Sequence, residues 1–149
     1  MTNWEEVRSI RKLSRSFVRE LGVLDSRFKP QKIPLSLCHA LIELDERGAL
    51  SQNELAEILR VDKSAMSRVL AQLFKKAWIE IKASPEDLRK KIVILTSAGR
   101  SRVKQLHLAA DSQVQAALNT LTPKECKTVI QGLSLYTSAL GKCHAKPND

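Results

Sequence analysis

The spacing of apolar residues changes period along the chain, and each change marks the boundary of a predicted element. In most of the chain, apolar positions recur at steps of three and four residues, which is the period of an α-helix. Two short runs between residues 78 and 96 are instead rich in β-branched residues. The pattern therefore predicts a mainly α-helical protein with one small β-hairpin.

The first predicted helix covers about residues 3–22 and ends at Gly22. Its start has two equivalent capping boxes, because Thr2 and Asn3 each precede a glutamate by three positions. Residues 23–34 contain two prolines and are predicted to be a connection. A second helix follows and ends at Gly48.

Two short helices with a tight connection are predicted next. Ser51 and Glu54 form a capping box at the start of the first, and Asp62 is the expected N-cap of the second. Only residues 60–62 separate the two helices, which is typical of a helix-turn-helix.

A hairpin is predicted directly after this pair. The β-prone residues Trp78, Ile79 and Ile81 and the run KIVILT flank the polar segment SPEDLRK, so the hairpin tip lies near residues 84–90. Two short helices followed by such a hairpin make a winged helix-turn-helix, whose second helix can enter a DNA major groove.

The C-terminal third is predicted to form two long amphipathic helices. Thr122 and Glu125 form a capping box between them, and the second helix is expected to end at Gly141. The apolar seams are too long for one small winged helix to cover, so they are predicted to mediate dimerisation. The seam positions are Val103, Leu106, Ala110, Val114, Ala117 and Leu121, followed by Cys126, Val129, Ile130, Leu133, Tyr136, Thr137 and Leu140.

Composition agrees with a polyanionic partner. The 149 residues carry a formal net charge of +9, and residues 51–104 contribute twelve Lys/Arg against six Asp/Glu. Charge alone does not separate DNA from RNA or anionic lipid. No apolar run approaches the roughly 20 residues of a membrane span, and the N-terminus has no apolar signal core, so no membrane partner and a cytoplasmic location are expected.

Little in the sequence points to catalysis or a cofactor. We find no phosphate loop, nucleophile elbow or paired carboxylates, and the three histidines lack the spacing of a metal site, so we expect no enzyme, no cofactor and no metal. Cys38, Cys126 and Cys143 suit reduced thiols better than disulfides. Cys38 lies on an apolar stripe, which favours an inert buried thiol over a redox sensor.

The helix after Asp62 presents two different faces. Met66, Val69, Leu70 and Leu73 form its core side, whereas its other side has no acidic residue. A solvated face is the ordinary explanation for such a pattern, but the preceding tight turn and the following basic hairpin favour DNA. Arg68 suits a bidentate contact with guanine. In the wing, Asp87 can orient the guanidinium of Arg89 toward a minor groove. The candidate DNA-binding residues are Ser51, Gln52, Lys63, Ser64, Ser67, Arg68, Gln72, Lys75, Asp87, Arg89, Lys90 and Lys91.

These segments resemble the MarR (multiple antibiotic resistance regulator) family. The segments SQNELAEILRVDKSAMSRVLAQL and SPEDLRKKIVILTSAGR match its pattern L-A-x-x-L-x-V-D-x-S-x-x-S-R-x-L, then D-x-R, then L-T-x-x-G. The match is close over about residues 35–105. Ala77 departs from the pattern, since a glycine usually follows the recognition helix, and a left-handed conformation there costs alanine about 1 kcal/mol.

The resemblance implies a function and a set of partners. It implies a homodimer that binds an inverted-repeat operator in double-stranded DNA and is a repressor released by a small aromatic or phenolic ligand. On this analogy Ser64, Ser67 and Arg68 contact the major groove, and Asp87 and Arg89 form the wing tip. Two alternatives stay open: a redox-responsive regulator that uses a cysteine thiol, and a winged-helix module that binds only protein.

The predicted organisation is one domain over residues 1–149. A winged helix-turn-helix occupies about residues 35–98, and dimerisation helices occupy about residues 3–22 and 99–141.

Overall fold

The computed structural model describes residues 3–23 and 33–144. Within these ranges the chain forms helices and one two-stranded antiparallel hairpin, as the apolar pattern predicts. The elements are α1 (Trp4–Glu20), α2 (Leu35–Arg47), α3 (Gln52–Leu59), α4 (Lys63–Lys75), β1 (Ile79–Ala83), β2 (Lys91–Leu95), α5 (Ser97–Leu118) and α6 (Pro123–His144).

The first helix begins at one of the two predicted caps. The side chain of Asn3 accepts a hydrogen bond from the backbone N–H of Glu5, so Asn3 is the N-cap; Thr2 lies outside the described residues. No residue of α1 is buried, and its large apolar side chains, such as Phe17 at 49% exposure, lie at the surface of the single chain. Of the predicted connection, residues 24–32 lie outside the described residues.

The core of the winged helix-turn-helix lies among α2, α3, α4, the hairpin and the first half of α5. The predicted apolar stripe of α4 is buried in this cluster, as are the three leucines of the α2 stripe, and Ile79 and Val93 add the inner face of the hairpin. Cys38 and Ile42 of the α2 stripe are only partly buried. Burying several such side chains completely stabilises the fold by about 1.5–3 kcal/mol each. The fully buried large side chains are Leu37, Leu41, Leu55, Met66, Leu73, Ile79, Val93 and Val103.

Two findings in α5 and α6 differ from the sequence predictions. Val103 and Leu106 are buried in the core of the winged helix-turn-helix, so the first part of the predicted dimerisation seam has another partner within the chain. Helix α6 continues past Gly141 to His144. A glycine inside a helix costs only about 1 kcal/mol relative to alanine, so Gly141 is accommodated within α6.

The chain divides after Leu106 into two compact units. In the second unit, Thr122 and Glu125 form the predicted capping box: the carboxylate of Glu125 accepts from the backbone N–H of Thr122 at 2.8 Å. Most of the apolar stripe of α6 is exposed in the single chain, including Val129, Ile130 and Leu133. Helix α6 therefore has an apolar face without cover from its own unit.

The junction between α4 and the hairpin has the left-handed turn that the family pattern would give to glycine. Ala77 has φ +55°, its N–H donates to the carbonyl of Phe74, and the N–H of Trp78 donates to the carbonyl of Leu73. This pair of bonds is a Schellman motif. The α3–α4 turn repeats it with Arg60 at φ +54°. Both turns therefore use non-glycine residues in a conformation that favours glycine.

Candidate nucleic-acid interface

Helix α4 presents the polar face that the sequence predicts. Asp62 caps it, since its carboxylate accepts from the backbone N–H of Ala65 at 2.7 Å. The core positions fix how the helix is rotated, and the opposite side chains are therefore exposed. The exposed residues of this face are Lys63, Ser64, Ser67, Arg68, Gln72 and Lys75, and no acidic residue lies between Lys63 and Lys75.

Arg68 and Ser64 lie one helical turn apart and contact each other. One guanidinium nitrogen of Arg68 donates to the hydroxyl of Ser64 at 2.8 Å. The bond uses one of the five guanidinium N–H donors and holds the side chain along the outer face of α4. The other donors stay available for an acceptor outside the protein.

The N-terminus of α3 is a complete capping box. The backbone N–H of Ser51 donates to the Glu54 carboxylate at 2.7 Å, and the backbone N–H of Glu54 donates to the Ser51 hydroxyl. The backbone N–H of Ser51, and after it the Ser51 side chain, lower the pKa of Glu54 below its usual value. Gln52 links α3 to α4, since its amide donates to the carbonyl of Lys63 at 3.3 Å.

The wing turn is held by a hydrogen bond between Asp87 and the backbone of Arg89. The Asp87 carboxylate accepts from the backbone N–H of Arg89 at 3.0 Å, so it shapes the turn through the backbone. The contact differs from the predicted one with the Arg89 guanidinium, which stays a prediction. The carbonyl of Asp87 accepts from Lys90 N–H, and Ser84 N–H closes the loop on the carbonyl of Lys90. Short Asx-type bonds of this kind are common in turns, because the carboxylate reaches the amide two residues on.

Two clefts bring six of the twelve candidate residues together. The first, about 880 Å³, lies between the α3 N-terminus and the wing; its polar lining includes Ser51, Gln52, Lys90 and Lys91 together with the carboxylates of Glu54 and Glu86.

The second cleft, about 540 Å³, lies between α4 and the wing. Its lining includes Gln52, Ser67, Arg89 and Lys91 and has no acidic residue among the described part of the chain. Gln52 and Lys91 line both clefts, so the α3 N-terminus, the side of α4 that carries Ser67 and the wing form one continuous surface. The other six candidates line neither of these two clefts; they are Lys63, Ser64, Arg68, Gln72, Lys75 and Asp87. Lys75 lies about 18 Å along the helix from Lys63, at a rise of about 1.5 Å per residue.

Four residues with large or long side chains line the second cleft but were not among the sequence candidates. Phe74, Ile81 and Leu88 are 59%, 43% and 80% exposed, and Lys82 lines the same cleft. Ile81 lies on the same side of β1 as Ile79, because the pairing of β1 with β2 is regular. It is nevertheless exposed, so the buried part of β1 ends at Ile79. Phe74 and Leu88 give no signal in the sequence, because their exposure depends on where the hairpin folds against α4.

All three cysteines are free thiols. Cys38 is half-buried, and burial raises the pKa of its thiol, although the Arg102 guanidinium and a backbone hydrogen bond act in the opposite direction. Cys126 is half-buried and donates to the carbonyl of Leu118, and Cys143 is exposed. Among residues 3–23 and 33–144, no three metal-ligating side chains cluster, and no helix is long and apolar enough to cross a membrane.

Comparison with protein families matches residues 33–91 to the MarR family model. The multiple antibiotic resistance protein MarR of Salmonella typhimurium is 30% identical over 108 residues, which are 72% of this chain and 75% of that protein. The chain spans between 54% and 77% of the length of the curated relatives that it matches.

Solved structures give the same assignment. A single-residue mutant of MarR from E. coli in complex with operator DNA is 25% identical, with a TM-score of 0.71, and the match covers 91% of this chain and 99% of that one. Bordetella bronchiseptica BpsR, whose DNA binding is regulated by 6-hydroxynicotinic acid, is 22% identical with a TM-score of 0.69, over 85% and 91% of the two chains; at this identity the likeness shows the fold.

Proposed function

The chain belongs to the MarR family, and we propose that it is a transcriptional regulator that binds double-stranded DNA in a sequence-specific manner as a homodimer. The observation that carries the proposal is the continuous surface formed by the acid-free outer face of α4 and the basic wing. Two such surfaces related by a two-fold axis would match an inverted-repeat operator.

Each part of this surface has a role in the proposal. The outer face of α4 enters the major groove, where Arg68 reads a guanine through two hydrogen bonds and Ser64 and Ser67 contact neighbouring base edges or phosphates. Its exposed, acid-free surface and the Ser64 bond that holds Arg68 along the helix support this role. Gln72 is the fourth polar side chain of this face within reach of the bases.

Phosphate contacts come from the edges of the surface. Arg89, Lys90 and Lys91 hold the backbone at the minor groove from the wing, while Asp87 fixes the backbone of their turn. Lys63 and Lys75, at the two ends of α4, reach phosphates on either side of the major groove.

The N-terminus of α3 supplies a further phosphate site. The Ser51 hydroxyl can turn its hydrogen from the Glu54 carboxylate to a phosphate oxygen while its own oxygen keeps the capping bond from the Glu54 N–H. Gln52 acts mainly by positioning α3 on α4, because its amide is engaged by the carbonyl of Lys63.

Dimerisation is assigned to the helices outside the winged helix-turn-helix. The exposed apolar faces of α1 and α6, and the part of α5 beyond Leu106, offer the area that a partner subunit would cover. We therefore treat residues 1–149 as one MarR-like domain whose dimerisation helices are about residues 3–22 and the part of the predicted segment 99–141 that follows Leu106. Leu133→Asp, at a 46%-exposed position, should give monomers in sedimentation. The same change at Leu135, on the opposite face of α6, is the control and should leave the dimer intact.

Regulation by a small aromatic or phenolic ligand, with repression as the output, completes the proposal. The regulation of BpsR by 6-hydroxynicotinic acid supports the chemical class. A redox signal at Cys38 is less favoured, since a half-buried thiol with a raised pKa forms thiolate poorly. The relatives are regulators rather than enzymes, and the proposal includes no catalytic activity.

Selection of bound sequences from a random duplex pool tests the function. The proposal predicts an inverted repeat with half-sites about one helical turn apart, and a steep loss of retention with salt. Arg68→Ala is the matched control, because it keeps the wing charge but should recover a consensus without the base preference at one position of each half-site. Retention without any consensus, or no retention, would contradict the proposal.

A further inference from the structure

The cleft between α4 and the wing combines an apolar interior with a basic rim. Phe74 projects from α4, Ile81 from β1 and Leu88 from the wing turn, and all three are exposed in the same cleft. Single exposed apolar side chains are common on proteins, but a cluster of large ones marks a contact surface. Lys82, Arg89 and Lys91 lie around this cluster.

The charge of the cleft distinguishes it from its neighbour. Acidic residues are absent from the described lining of the α4–wing cleft, whereas Glu54 and Glu86 line the cleft on the other side of the wing. An anionic chain would therefore be attracted to the α4–wing cleft and partly repelled by the cleft between the α3 N-terminus and the wing. Lys82 also contacts the Glu80 carboxylate at 2.7 Å, but Glu80 does not line the cleft.

A strand of DNA has both properties that this cleft would recognise. Its deoxyribose rings present carbon and hydrogen, and its phosphates carry the negative charge. If α4 enters a major groove and the wing enters the adjacent minor groove, the one sugar–phosphate strand that separates the two grooves must pass between them. The α4–wing cleft is the space left for that strand.

We propose that the α4–wing cleft is the binding site of this strand. Phe74, Ile81 and Leu88 pack against its deoxyribose rings, and Lys82, Arg89 and Lys91 contact its phosphates. The inference rests on the proposed function and deepens it. The apolar contacts set the depth at which α4 and the wing enter their grooves. Phe74, Ile81, Leu88 and Lys82 are thus DNA-positioning residues in addition to the polar face of α4.

Hydroxyl-radical footprinting on the selected operator tests the proposed strand-binding site directly, because the radical attacks deoxyribose. The wild-type protein should protect a short stretch of one strand in each half-site, between the positions contacted by α4 and by the wing. Phe74→Ala and Leu88→Ala should lose that protection while keeping the rest of the footprint. Both side chains are exposed, so unfolding midpoints equal to wild type will show that the variants fold.

Affinity supplies the second readout. Phe74→Ala should bind the operator about ten-fold more weakly, since it removes apolar contact area, and with an unchanged salt dependence. Lys91→Ala should instead reduce the salt slope by about 0.9, the value for one phosphate contact. The matched control is Leu135→Ala, which removes a 72%-exposed leucine from α6 and should change neither readout.

The outcomes separate this inference from the proposed function. If the wild-type protein selects no operator, the proposed function fails. If the wild-type protein selects an operator but Phe74→Ala and Leu88→Ala match the Leu135→Ala control in footprint and affinity, only the proposed strand-binding site is wrong. That second result would also be expected if a small aromatic anion, rather than a DNA strand, occupied the cleft.

Discussion

The hydroxyl of Thr96 donates a 2.7 Å hydrogen bond to the carbonyl of Ala77, nineteen residues earlier in the chain. The same oxygen accepts from the backbone N–H of Gly99 and so caps α5. One side chain therefore links the end of α4, the base of the wing and the start of α5. The wing is fixed to the recognition helix at this point, where the backbone N–H of Thr96 also donates to the carbonyl of Trp78.

Thr96→Val should destabilise the protein by about 1–2 kcal/mol. Valine keeps the shape but removes both the cap and the bond to Ala77. Urea unfolding measures the loss. Thr128→Val is the control, because the Thr128 hydroxyl bonds only the carbonyl one turn back in α6 and is exposed; its effect should stay within about 0.5 kcal/mol. Equal effects of the two substitutions would contradict the role of Thr96.

Ala77→Gly should stabilise the protein by about 1 kcal/mol. Ala77 has φ +55°, and glycine adopts this conformation without the steric cost that alanine has. Thermal and urea unfolding will show the gain. Ala71→Gly, at an exposed position inside α4, is the reverse control and should lose about 1 kcal/mol. A destabilised Ala77→Gly variant would mean that the junction is not held by the Schellman turn.

Gly99→Ala should cost at least about 2 kcal/mol. A Cβ there would overlap the carbonyl oxygen of Trp78, which is backbone and cannot rotate away. Gly132 in α6 has nothing within 4 Å of the same position, and Gly132→Ala should instead gain up to about 1 kcal/mol from helix propensity. The two variants compared in one unfolding experiment form a matched pair. Similar stability of both would show that α5 does not approach the end of α4 this closely.

The stability should depend on pH through Glu54. Its pKa is lowered in the folded protein by the backbone N–H and hydroxyl of Ser51, so its contribution is fully present above the unfolded pKa and is lost as pH falls through the folded pKa. Wild-type protein should therefore exceed Glu54→Gln in stability at about pH 7 and lose most of that advantage in acid. Glu57→Gln removes the same charge from α3 and controls for net charge. An advantage that persisted unchanged at low pH would contradict the capping role.

Local interactions could be predicted well from the sequence. The caps at Ser51, Asp62 and Thr122 depend on residues three positions apart, and all three form as expected. The alanine at position 77 puts a left-handed turn after α4 in doubt at the level of sequence, and the turn forms nevertheless. The stripes of α2 and α4 also turn to the core, because the period of a helix fixes which residues share a face.

Contacts that depend on tertiary packing could not be predicted in this way. The sequence places Leu106 on a dimer seam, but it is buried in the winged helix core. The choice of Asp87 between a backbone amide and a guanidinium depends on the conformation of the turn. The apolar cleft at Phe74 exists only once the hairpin has folded beside α4. The isolated bridge between Leu50 and Val93 likewise joins residues far apart in sequence.

The most direct test of the central claim compares Arg68→Ala and Arg89→Ala on the selected operator and a panel of its single-base variants, at several salt concentrations. The account predicts that Arg68→Ala loses about 1–3 kcal/mol and no longer distinguishes bases at one position in each half-site. Arg89→Ala should weaken binding to all sequences alike and lower the salt slope. If Arg68→Ala weakened every sequence equally and kept the full base preference, α4 would not be the element that reads the DNA.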